Sequence, residues 1–174
     1  MSDPTPAMRE VPGVEPTFTA FDDVTWQQVR TQRHSDGQQK SVWEKWFAIG
    51  REPQFLSMFG RWDPGMIVHR HGHNSHQVVY VLAGGMWCGE RWCPAGTHID
   101  LPLGAALGPL IAGPDGVDLF EVMMGDPRSW GDQPETLEAA RAEHGVEGLP
   151  DVPLEFPEWL ADLRSHWTQD APKA

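Results

Sequence analysis

Apolar and polar positions alternate in short runs over the first 126 residues, and Gly or Pro cuts almost every run. A period of two marks a strand with one buried face, and the breaks mark turns. Residues 17–21, 41–50, 55–62, 66–73, 77–85, 86–93, 97–103 and 117–125 read this way. Pro114-Asp115-Gly116 and Gly125-Asp126-Pro127 bound the last run. After Pro127 the period lengthens to that of helices. One is predicted over 135–145, ending at Gly145, and a second over 156–167, with Pro157 near its start. In the second, Phe156, Trp159, Leu160, Leu163 and Trp167 form one stripe. Residues 1–16 carry Pro4, Pro6, Pro12 and Pro16 among polar neighbours and read as a flexible arm. The expected organisation is therefore an arm over 1–16, an all-β domain over 17–126 and a helical extension over 127–174.

Composition narrows the partners. Lys and Arg number 13 against 25 Asp and Glu, for a formal net charge of -12. Such a surface repels phosphate backbones and anionic lipid, which argues against nucleic acid and membrane partners. No apolar run approaches the ~18 residues of a membrane span. The first residues contain no apolar stretch of the kind an export signal needs, so a cytoplasmic location is expected. The two cysteines, Cys88 and Cys93, are too few for a disulfide scaffold and read as free thiols. The nine tryptophans exceed what a small β domain requires. They suit a core and a subunit interface, so a homodimer is expected.

Half of the eight histidines fall in one segment: His69, His71, His73 and His76. On a continuous strand His69, His71 and His73 would point to one side. Converging imidazoles are costly to protonate together, and a divalent transition metal, which takes their neutral lone pairs, resolves the conflict. A hydrogen-bonded core cluster or a His-rich surface loop is the alternative.

The segment from Gly65 to Gly85 resembles the first conserved motif of the cupins. Gly65, His71 and His73 match its Gly and His-x-His spacing, and Tyr80, Val81, Leu82 and Gly84 match its ending. The resemblance covers about residues 55–125 and implies a cupin-type antiparallel jelly-roll barrel, here followed by two short C-terminal helices. It also implies a metal (Fe, Mn, Ni or Zn) and a small-molecule substrate. Two positions depart from the family pattern. Gln77 stands where the family has Glu, and Leu107 stands where the second motif has its last His. The implied ligand set is His71, His73 and Gln77, with His69 as the natural substitute for the missing imidazole. A second register would pair His69 with His71 and recruit His73 or His76.

Gln77 cannot move protons, so a general base or acid must come from elsewhere. His76 and Glu121 are the candidates, with His98 behind them. Glu121 lies in an apolar strand, either paired at the rim or facing the cavity with a raised pKa. Two functions fit: a metal-dependent cupin enzyme of dioxygenase, lyase or isomerase type acting on a small oxygenated molecule, or a non-catalytic small-molecule binding or sensor protein.

Overall fold

A computed structural model describes residues 12–131, 133–150 and 152–160. Among these residues nine strands make one antiparallel sheet system. They are β1 (Gln27–His34), β2 (Gln39–Arg51), β3 (Gln54–Trp62), β4 (Ile67–Val68), β5 (His71–Cys88), β6 (Arg91–Pro94), β7 (His98–Leu101), β8 (Leu110–Gly131) and β9 (Val146–Gly148). The order is β6-β5-β8-β3-β2-β1-β9, while β4 pairs with β8 and β7 with β5. The helix α1 (Pro134–His144) ends on Gly145, whose left-handed φ of 62° suits a residue without a side chain. The second expected helix shows only a 3₁₀ turn at Glu158–Leu160, and its remainder lies outside the described residues. Among the described residues no helix is long and apolar enough to cross a membrane.

The long strands β5 and β8 do most of the folding work, and they run through residues that read as turns. The pairing of β5 with β8 slips between His73 and Ser75, between Val81 and Ala83, and between Gly84 and Met86. Each slip adds residues to one strand, which bends the ribbon and lets it close into a barrel. Pro114-Asp115-Gly116 and Gly125-Asp126-Pro127 lie at two of these bends, so they curve β8 rather than end it. As a result β8 runs past residue 126 to Gly131, and β9, from the extension, pairs with β1. Residues 17–21 form no strand; the chain there enters a 3₁₀ turn at Phe21–Asp23.

Alternation then sorts side chains as the pattern requires. Gln77, Val79 and Val81 are buried on the inner face of β5, while Tyr80 and Leu82 are exposed. Val117, Leu119, Glu121 and Met123 are buried on β8. Val29, Val42, Val68, Val79, Val81, Leu101 and Leu119 join one core inside the barrel. Tyr80, Phe120 and Met124 are 41%, 38% and 51% exposed on the outer face. Their one-residue offset from Val79, Leu119 and Met123 dictates that side. Cys88 lies opposite Arg91 rather than Cys93, and both thiols are free.

Candidate functional site

The barrel encloses a cavity of about 110 Å³. His71, His73, Gln77 and Glu121 contribute part of its polar lining from β5 and β8, and Leu107, Val79 and Leu119 give it apolar wall.

His71 and His73 are oriented by backbone carbonyls. His71 Nδ1 lies 2.9 Å from the carbonyl of His69, and His73 Nδ1 lies 2.7 Å from that of Pro127. A carbonyl can only accept, so each Nδ1 carries the proton and each Nε2 keeps its lone pair. The partner of His73 comes from the bend in β8, where the Arg128 guanidinium grips Asp126 (Nε to Oδ2 2.8 Å) and fixes the Pro127 turn. Burial pulls the pKa of His71 down to about 4, against the His69 carbonyl bond. Burial, with His71 beside it, pulls His73 down to about 3. Both rings are therefore neutral at pH 7. Gly72 between them is a spatial necessity: a Cβ there would come within 2.4 Å of the Ala105 carbonyl and 2.6 Å of the Trp130 ring.

Gln77 donates from Nε2 to Glu121 Oε2 at 2.7 Å, which leaves the amide oxygen for another partner. Burial, then the nearby Glu44, raises the Glu121 pKa to about 8, and the Gln77 bond only partly offsets them. Glu121 therefore faces the cavity as a neutral acid at pH 7 and is not a rim residue.

His69 does not join the set. The strand breaks between Val68 and His71, so the period of two that would align it with His71 is lost. Its ring lies tilted beside that of His71, with centres 5.1 Å apart, and its Nδ1 lies 3.3 Å from Arg30 Nη1. Arginine only donates, so the bond engages the Nδ1 lone pair and puts the ring proton on Nε2. No lone pair remains for a metal, and burial with His71 and Arg30 nearby holds the pKa at about 2. His76 also leaves the site. It is next to inward-facing Gln77, so alternation sends it outside, where it meets Asp100 at 2.5 Å. Asp100 thus partners His76 and not His98, which lies opposite exposed Tyr80.

Leu107 is where the motif spacing expects the missing histidine. Its backbone pairs with that of His71 in both directions, at 3.0 and 2.9 Å, and its side chain lines the cavity. Among the described residues, no three His, Cys, Asp or Glu side chains gather as a metal-holding group.

Neither a protein-family model nor a curated protein matches the chain. Solved structures do. A protein from Methylibium petroleiphilum, provisionally assigned as an acetylacetone dioxygenase, superposes with a TM-score of 0.57 at 12% identity, over 73% of this chain and 88% of that one. An RmlC-like cupin protein from Ralstonia eutropha superposes with a TM-score of 0.53 at 14% identity, over 79% and 94%. The chain has the cupin fold.

In this cupin barrel the cavity is also lined by residues that no sequence spacing singled out. Arg30, Glu44 and Trp46 line the cavity from β1 and β2, and Leu154 lines it from the C-terminal segment. Trp46 Nε1 donates to Glu44 Oε2 at 2.7 Å. These positions lie far apart along the chain, so only barrel closure brings them to the histidines.

Two neutral imidazoles with preset tautomers and one amide line the same cavity, and these are donor types that a divalent metal could accept.

Proposed function

We propose that this protein is a metal-dependent cupin enzyme acting on a compact, enolisable or catechol-like small molecule. The observation that carries the reading is the pair of carbonyl-bonded Nδ1 protons on His71 and His73, which points two neutral lone pairs at one cavity. His71 and His73 would hold the ion, and the Gln77 amide oxygen would complete a three-donor set. A bound Fe, Mn, Ni or Zn supplies Lewis acidity toward an enolate or catecholate oxygen and, for a redox metal, electrons for oxygen chemistry. Glu121, protonated at neutral pH, donates or holds a proton at its carboxyl beside Gln77. The apolar walls limit water and suit the hydrocarbon part of the substrate. Dioxygenase-type cleavage is the leading reaction, with lyase or isomerase chemistry behind it. Acetylacetone, the substrate provisionally assigned to the Methylibium petroleiphilum protein, is a compact enolisable diketone and is the first substrate to test.

A binding or sensor role is the second reading. It is favoured by Leu107, which turns a ligand position of the fold family into apolar wall. The deciding experiment is metal analysis of protein purified without a His tag, alongside a His71→Ala/His73→Ala double variant. The enzyme reading expects near-stoichiometric metal that the double variant loses. Absence of metal after reconstitution transfers the site to the binding reading. The proposal includes a homodimer, supported by the apolar outer face around Tyr80, Phe120 and Met124.

A further inference from the structure

We propose that Leu154 and Phe156 are specificity-determining residues: the segment carrying them forms the outer wall of the cavity and controls what reaches His71 and His73. The proposal rests on the reading that this cavity is the working site. Leu154 lines the cavity and packs against the main core. Phe156 stacks on Trp46, with ring centres 5.2 Å apart and planes at 28°, and Trp46 is itself cavity wall. Between them, the Glu155 N–H donates to Gln27 Oε1 at 2.9 Å, which ties the segment to the start of β1. Leu160, 4% exposed, anchors its far end.

The segment is built to cover rather than to pair. Residues 152–157 join no strand, and Pro153 and Pro157 flank Leu154, Glu155 and Phe156. Proline offers no N–H to a sheet and stiffens the chain between. The wall can therefore shift or be cut back without breaking a sheet ladder. At about 110 Å³ the cavity is smaller than the ~150 Å³ space that takes benzene. One wall side chain is a large share of such a volume. The ligand class is accordingly a compact small molecule no larger than about one six-membered ring with its oxygens, with its polar end toward His71, His73 and Gln77.

The test is ethoxycarbonylation of the full-length protein by diethylpyrocarbonate, resolved by residue, with a chelator present. It needs neither metal nor substrate, so its outcome is independent of the metal analysis. In the wild type, His71 and His73 should react much more slowly than exposed His98 and half-buried, outward-facing His76. Leu154→Ala and Phe156→Ala should each speed His71 and His73 at least about fivefold and leave His76 and His98 unchanged. Leu154→Trp should slow them, a direction that loss of structure cannot imitate. Buried His69, outside the cavity, must stay unreactive in each variant that is scored. Rates at His71 and His73 that ignore all three substitutions, or that equal His76 in the wild type, overturn the proposal.

Discussion

Replacing Glu121 with Gln should stabilise the metal-free protein, and by an amount that grows with pH. Glu121 is 7% exposed, and burial with Glu44 nearby raises its pKa from 4.5 to about 8. Above pH 4.5 the unfolded chain releases this proton while the folded chain keeps it, so the unfolded state binds fewer protons. Stability then falls as pH rises, at up to about 1.4 kcal/mol per pH unit, until the folded carboxyl ionises near pH 8. Between pH 4.5 and 7 the cost reaches about 3 kcal/mol. Gln keeps an oxygen for the Gln77 amide and has no proton to lose. The advantage of Glu121→Gln should therefore be small at pH 4.5 and about 3 kcal/mol at pH 7. His69, His71 and His73, all held well below 6.5, act with the opposite sign. The unfolded chain takes up protons below pH 6.5 and they do not, so they lower stability on the acid side of both proteins and cancel in the difference. The assay is urea unfolding followed by tryptophan fluorescence from pH 4.5 to 8 with a chelator present. A difference between the two proteins that stays constant across that range would show Glu121 ionised in the fold and refute the argument.

Three further outcomes follow from the same geometry. Gln77→Glu should tighten metal binding by roughly tenfold, because a carboxylate is the stronger donor; competition with a chromogenic chelator reads it, and an unchanged affinity places Gln77 outside the coordination sphere. His69→Ala should leave metal stoichiometry intact, since Arg30 already engages the Nδ1 lone pair, and metal loss in that variant would restore His69 to the ligand set. The wild type should sediment as a dimer at micromolar concentration and Phe120→Lys should shift it to a monomer, whereas a wild-type 19.5 kDa species would contradict the outer-face interface.

Strand alternation was legible in the chain itself, and with it the side on which most residues lie. Gln77, Val79 and Val81 share the buried face of β5 because a pleated strand has a strict period of two. The Gly65, His71 and His73 spacing similarly pointed to the fold and to two cavity imidazoles. The same period, applied across residues 66–73 as if they were one strand, put His69 with His71. The break between β4 and β5 reverses that, and a local pattern contains no record of where a ladder stops. Turn-forming triplets at 114–116 and 125–127 failed for a related reason. Gly, Asp and Pro permit a turn, but long-range pairing of β5 with β8 makes them bends within a strand. The Pro127 carbonyl under His73, the Arg30 contact that occupies His69, the Glu44 charge near Glu121 and Leu154 on the cavity wall join residues distant in sequence. No spacing rule relates such positions. They meet because the barrel closes, and the desolvation that closure brings sets the protonation of His71, His73 and Glu121.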